Sequence, residues 1–476
     1  GISDIEDGYE IDITDSVDDK NNNFETVSLV KPTESVAQIG EKTYTTLSSA
    51  INDVKNGETI QIIKNIFPVR EFSISEDKNF SLDLNSYSIR AFNDGYLFNN
   101  NGTININDTS EGSTDSNGIT TYNGKIIVGS AGLIENNGTL NIVTSNISSI
   151  TQVKNLITNN GEMTIENGNM SASSGTTNLI ENTGTLTINN IYVNTYRVNT
   201  IIKNSGTGTI NNGKFIVGEA DNIVQNENTG TFTIKNGVYT LNTKPGYINY
   251  VLSNKGNAYI YGGTIDTSAY TYYGDYVSIV YNSENAEVTI DGLKVTTNPY
   301  VAIDNYGIAN ISNSTLVGII TNKKTMNLTN VTVNSNSYNG ISNEQSGIMN
   351  INSGEYNVQI TNNSTGSINI YGGTFNDVVT NSNTGTINIK KGTFTKGVTS
   401  TGNGIINIGI KGDTNDSGEL NVSIENPNIT GDTYGLTITN GKVNFYDGII
   451  SGTTDAVSGT INEIEDGYEI ISGTTE

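Results

Sequence analysis

From Asn100 onward, apolar and polar residues alternate in short runs that keep returning. The unit is Asn-x-Gly-(Thr/Ser)-apolar-x-apolar, with the first Asn and the Thr/Ser both variable. It stands as Asn101-Gly102-Thr103-Ile104-Asn105-Ile106, as Asn137-Gly138-Thr139-Leu140-Asn141-Ile142, and later as Thr384-Gly385-Thr386-Ile387-Asn388-Ile389. Its second apolar residue recurs from Ile106 through Ile165, Ile234 and Ile311 to Phe445. The usual interval of about 19–26 residues falls in the range that marks solenoids. Within one unit Ile368 and Ile370 are two residues apart and share a strand face, while Asn369 points to the other. Gly372-Gly373 then turns the chain, Phe375 opens a second short strand, and Val379 continues inward. One such coil cannot bury its apolar face alone. Stacked coils can, with equivalent residues aligned in ladders of Ile, Thr and Asn, and stacked Asn side chains favour such an arrangement.

The pattern therefore predicts an all-β fold, a right-handed parallel β-helix (β-solenoid) with a short N-terminal capping helix. A left-handed helix would keep a rigid hexapeptide period. Here coil length varies, with insertions between Ile106 and Ile142 and between Ile408 and Phe445, and parallel crossovers default to the right-handed sense. Roughly 15–18 coils at ~4.8 Å each make a rod of about 70–85 Å. The helix is placed after Thr45-Thr46, where Leu47, Ala50, Ile51 and Val54 have helical spacing and Gly57 supplies the stop. Four segments follow: 1–35, an acidic linker or the tail of a preceding module; 36–66, the cap with the first strand; 67–462, the coils; and 463–476, a junction to a following module. The ends support this modular reading. Ile5-Glu6-Asp7-Gly8-Tyr9-Glu10-Ile11 returns as Ile464-Glu465-Asp466-Gly467-Tyr468-Glu469-Ile470. A chain that opens on Gly1 and stops at Glu476 is expected to be a segment of a longer protein, flanked by neighbouring modules.

Composition narrows the chemistry. Asn makes up about 15% of the residues, well above ordinary usage, and with Gly, Thr and Ile it is a strand-and-turn vocabulary. There is no His and no Cys, so His general bases, thiolate nucleophiles, disulfides and the usual zinc and iron–sulfur ligand sets are excluded. Lys+Arg number 24 against 49 Asp+Glu, a formal charge of -25, which argues against nucleic acid as a partner. No run of ~18 apolar residues is present, so no membrane-inserted helix is expected.

The opening Ala37-Gln38-Ile39-Gly40, Tyr44-Thr45-Thr46-Leu47-Ser48-Ser49-Ala50-Ile51, Gly57-Glu58-Thr59-Ile60 and Lys64-Asn65-Ile66 resembles the start of a known class. It is similar to pectate-lyase-like β-helix modules in large, adhesin-like surface proteins of low-GC Gram-positive bacteria, and the Asn-x-Gly-Thr-Ile-x-Ile coils resemble their body. The resemblance covers about residues 36–462. It implies a secreted module at the cell surface or cell wall.

Two constellations are candidate sites. Tyr270, Tyr272, Tyr273 and Tyr276 lie in a long connection, where flat phenol rings can stack on sugars and donate a hydrogen bond. Asp413, Asn415, Asp416 and Glu419 place hard oxygen ligands beside Gly418, a weak signal for Ca²⁺. No other cofactor is implied. Catalysis has little support. Pectate-lyase-like enzymes use clustered Asp for Ca²⁺ with an Arg or Lys base, and no recurring Asp cluster stands beside Arg197. Carboxylate pairs such as Asp291 and Asp304 are expected by accident in so acidic a chain. The expected role is a stiff extracellular stalk or adhesin that contacts glycans or a host surface. A polysaccharide lyase or glycoside hydrolase, and a ligand-free spacer, are the alternatives.

Overall fold

The computed structural model describes residues 10–17, 23–30, 33–67, 71–91, 95–114, 120–129, 132–218, 220–242, 250–267, 278–296, 301–334, 340–415, 417–419 and 426–466. The chain is an all-β parallel β-solenoid of about 16 turns. It divides into two compact units, residues 1–252 with 269–273, and residues 253–268 with 274–476.

In the first unit a hairpin comes first, Glu10–Val17 pairing antiparallel with Asn23–Val30. Ala37–Ile39 then pairs antiparallel with Lys42–Tyr44 and with Thr59–Ile62. Between them lies the helix Leu47–Asp53, which buries Leu47, Ala50 and Ile51. Its N-cap is Thr46, whose hydroxyl accepts from the Ser49 amide at 3.1 Å, as the sequence suggests. The helix stops earlier than expected, with Val54 as its C-cap. Gly57 belongs to the turn beyond, at φ +84°.

Thr59–Ile62 then pairs parallel with Asn79–Asp83, and the stacking has begun. A complete coil carries three strands. In the second unit one coil is Thr386–Ile389, Thr393–Phe394 and Val398–Ser400. Each strand pairs in register with its equivalent, so the coils build three parallel ladders: Ile387 lies opposite Ile406, Phe375 opposite Phe394, and Val379 opposite Val398. The alternation read from the sequence decides what is buried. Ile368, Ile370, Phe375, Val379, Ile387, Ile389, Phe394 and Val398 are at most 1% exposed. Aromatic rings stack in the second ladder, Tyr356 on Phe375 at 5.1 Å and Phe375 on Phe394 at 4.5 Å. The two long insertions leave the ladders intact: Thr103 still meets Thr139, and Ile405 still meets Lys442.

Where the third ladder turns into the first, the core holds a polar column. In the first unit it runs Asn100, Asn136, Asn159, Asn182, Asn204 and Asn226, all fully buried. Each Nδ2 donates to Oδ1 of the next asparagine at 2.6–2.9 Å. The same Nδ2 of Asn159 reaches the carbonyl of Gly161 in its own coil and that of Thr185 in the next. The second unit repeats the column from Asn254 through Asn282, Asn305, Asn322, Asn343 and Asn362 to Asn381, at 2.8–3.1 Å. The glycine of the motif follows from this closeness. A Cβ on Gly184 would stand 2.1 Å from the Gly161 carbonyl oxygen, and one on Gly385 would stand 2.3 Å from that of Gly366.

A second asparagine column faces outward on the first ladder of the second unit. Asn310, Asn327, Asn350, Asn369, Asn388 and Asn407 are joined amide to amide at 2.7–2.9 Å and are half-buried.

Burial separates the two columns energetically. Asn182→Ala takes from the Asn204 Oδ1 acceptor its donor in the core and from Asn159 Nδ2 one of its three acceptors, a loss of about 3 kcal/mol. Asn369→Ala exposes its neighbours to water and costs only about 0.5 kcal/mol. Urea-unfolding midpoints of the two variants should fall in that order, and equal midpoints would contradict the assigned role of the inner column.

Candidate functional site

Tyr270, Tyr272, Tyr273 and Tyr276 lie outside the described residues, as do Asp416 and most of both terminal copies of Ile-Glu-Asp-Gly-Tyr-Glu-Ile. The other three candidate calcium ligands, Asp413, Asn415 and Glu419, fall in one loop whose polar groups bind each other. Asn415 Oδ1 accepts from the backbone amides of Ser417 and Glu419 at 3.0 Å, and its Nδ2 donates to Glu419 Oε2 at 3.2 Å. Among the described residues, no group of three or more Asp or Glu is placed to hold a metal ion.

Two other places in the second unit bring chemistry together. The first is the corner after the strand Ser367–Ile370. Because Ile368 and Ile370 point inward, Asn369 and Tyr371 point outward. Tyr371 is 41% exposed, and Lys390 Nζ from the following coil sits 4.5 Å from its ring centroid, a cation–π contact. The chain then turns through Gly372-Gly373, with Gly373 at φ +114°, a conformation that L side chains rarely adopt. With no side chains at these corners, a groove of about 490 Å³ opens beside the ring, lined also by Lys391, Gly392, Asn426 and Asn428. Asn426 Oδ1 accepts the Gly392 amide at 2.8 Å and so is fixed to the groove wall. The tetrapeptide Tyr-Gly-Gly-Thr occurs earlier at 261–264. There Tyr261 is 52% exposed, and Tyr259 stacks on it at 6.2 Å with an interplanar angle of 11°. These two rings belong to one strand edge rather than to neighbouring coils.

The second place is on the outer face of the third ladder. Register sets Asp304 opposite Tyr281, and one coil on stands Lys323. Lys323 Nζ lies 3.3 Å from Asp304 Oδ1, donates to the Tyr306 hydroxyl, and is 3.9 Å from the Tyr306 ring centroid. The Tyr281 ring packs against Tyr306 at 5.5 Å. Burial, aided by the charge of Glu344 and opposed by Lys323, lifts the Asp304 carboxyl above the ordinary carboxylate value. Burial acts against the Lys323 charge as well, but the Tyr306 hydrogen bond and Asp304 outweigh it and raise the ammonium. A shallow groove of about 530 Å³, lined by Ser342, Gln359 and Thr361 and lacking an aromatic ring, lies on the same ladder. Asp291, the other half of the carboxylate pair noted in the sequence, sits at the end of a first-ladder strand and bonds Ser312 and Asn313 instead.

Neither place was singled out by the sequence alone. The twin Tyr-Gly-Gly-Thr was the available signal for Tyr371. Asp304 and Lys323, 19 residues apart, meet only once the coil register is known.

Comparisons with protein families, curated proteins and solved structures return no match to this chain.

The raised Asp304 carboxyl has a stability consequence. It holds its proton to higher pH when folded than when unfolded, so its contribution is lost as pH rises above the ordinary carboxylate value. Asp304→Asn carries no such term. Its melting midpoint relative to the native chain should therefore climb between about pH 4 and pH 7. A difference that is flat or falls across that window would contradict the assignment.

Proposed function

We propose that the chain is an extracellular module of a large surface protein, a stiff stalk or adhesin that contacts glycans at a cell or host surface. The pectate-lyase-like β-helix modules of Gram-positive surface proteins are the class it fits, with the helix Leu47–Asp53 closing the N-terminal end of its core. The observation that carries the reading is Tyr371: an exposed ring, steadied by Lys390, beside a glycine-floored groove with amides on its wall. Exposed aromatic rings with polar tips suit sugar faces because stacking costs them little conformational entropy. The continuous amide and backbone ladders within each unit suit a mechanical role. The acidic surface keeps the module soluble and discourages association with like-charged walls.

A second reading, a glycoside hydrolase, draws on one feature. Asp304 is biased toward its protonated form with Glu344 within electrostatic reach, and paired carboxylates of unequal acidity are what glycosidic cleavage uses.

One experiment separates these readings. The purified chain is incubated with acidic and neutral polysaccharides and mucins, with and without Ca²⁺, and both retention and chain shortening are scored. Retention without shortening is expected, weakened roughly tenfold by Tyr371→Ala. Retention lost instead in the triple Tyr270, Tyr272 and Tyr273→Ala variant would move the site to the connection they occupy. New reducing ends that vanish in Asp304→Asn would replace the adhesin with the hydrolase. Absence of both retention and shortening would leave a spacer.

A further inference from the structure

The outward asparagine column of the second unit has a companion. Two residues earlier on each of the same strands stand Ile308, Thr325, Ile348, Ser367, Thr386 and Ile405, in register from coil to coil. Ile308, Ile348 and Ile405 are 37–44% exposed. The two columns together form a strip over six consecutive coils without one charged side chain. Along the columns charge returns at the ends, where Glu287 stands opposite Ile308 and Lys442 opposite Ile405, and at the edges it is carried by Lys324, before Thr325, and by Lys390, over the Tyr371 ring. The chain around it has a formal charge of -25.

The chemistry of the strip is regular. Each amide of the column spends one N–H proton and one oxygen lone pair on its neighbours, and a primary amide has two protons and two lone pairs to offer. The ladder therefore fixes the amides in place while leaving them hydrogen-bonding capacity, one rung every ~4.8 Å. Branched aliphatic and hydroxyl side chains alternate alongside. Tyr371 comes next after Asn369 on the outward side of its strand and adds an aromatic stop at the edge.

Size and charge decide what can lie there. Six coils span about 25–30 Å and two outward columns about 7 Å, so the strip offers about 175–210 Å². A standard protein–protein interface needs about 800 Å² from each partner. The strip is too narrow for a second copy of the chain or for another folded protein, and its outline is that of a single extended polymer. The two columns hold no Lys or Arg to pair with carboxylates or sulfates, Lys390 at their edge lies over the Tyr371 ring, and the acidic chain repels polyanions.

We propose that this strip binds a linear, uncharged polysaccharide laid along the stack of coils, with Tyr371 stacking on one of its sugar rings. The inference rests on the glycan-contact reading above and names the class of glycan and the face that holds it.

Affinity electrophoresis of the full chain tests it, with gels containing mixed-linkage β-glucan, glucomannan, polygalacturonate or hyaluronan. The neutral polymers should retard the protein and the anionic ones should not. Ile348→Glu and Thr386→Glu each place a charge at an outward position and should weaken retardation about tenfold or more, whereas Ile348→Thr should retain it. Urea midpoints of the glutamate variants confirm that they are folded. Retardation by neutral polymers that both glutamate variants preserve would overturn the strip while leaving glycan binding in place. Preference for the anionic polymers would overturn it as well. No retardation by any polymer would remove the strip and the glycan reading together. Sedimentation showing a dimer that Ile348→Glu disperses would assign the strip to a second copy and overturn the proposal.

Discussion

A buried primary amide in each coil must find a donor and an acceptor inside the core, and the rest of the structure is arranged around that requirement. An unpaired amide there would carry its full desolvation penalty. The asparagine columns meet the demand by letting each side chain satisfy the next, and they hold neighbouring coils at hydrogen-bonding distance and in one register. A one-residue slip in any coil would turn its Ile-x-Ile strand inside out and break the amide contact at the same time. The apolar ladders supply most of the burial. The amides determine which residue faces which, and the stacked glycines record how closely the backbones approach at that corner.

Much of this was legible in the chain, for a definite reason. Parallel stacking makes structural equivalence equal to sequence repetition, so Ile368 and Ile370, Phe375 and Val379 announce their burial by returning as Ile387 and Ile389, Phe394 and Val398. The inner column was only half visible. Between Asn182 and Gly184 lies one residue, whereas between Asn343 and Gly347 lie three, so the asparagine of the motif looks variable until the ladder shows that the turn, not the amide, changes length. The candidate site was less legible still. Outward positions are not constrained by the core, so the cluster of Tyr270, Tyr272, Tyr273 and Tyr276 dominates any composition-based reading. Tyr371, with a single ring, acquires meaning from the glycine corner beside it and from a lysine one coil later. Asp304 and Tyr306 are neighbours on one strand end, and only the stacking of the next coil brings Lys323 to them.

The same division of labour accounts for the variety of the surface. Once the inner amides and the aliphatic ladders are in place, the outward columns are free to change without cost to the core. In the first unit the outward position equivalent to the asparagine column holds Asn105 and Asn141 and then Thr164, Thr187 and Thr209, whereas in the second it holds Tyr259 and Thr289 before the amides begin at Asn310. Binding chemistry can therefore differ from face to face on an unchanged scaffold, as expected when function resides in sites carried by a fold rather than in the fold itself.

The two asparagine columns of the second unit also differ in direction. Inside, each amide donates toward the following coil, as Asn305 does to Asn322. Outside, each donates toward the preceding one, as Asn327 does to Asn310. Their dipoles therefore oppose one another along the stack. Each coil that carries both columns, from Asn305 with Asn310 to Asn381 with Asn388, presents donors within and acceptors without on its C-terminal side, and the complement on its N-terminal side. The stacking surface is thus keyed. A coil fits its neighbour head to tail, while two identical sides brought together would set donor against donor and acceptor against acceptor. The polarity of a side-chain amide gives the solenoid a sense of direction and a barrier to mispairing that sheet edges otherwise lack.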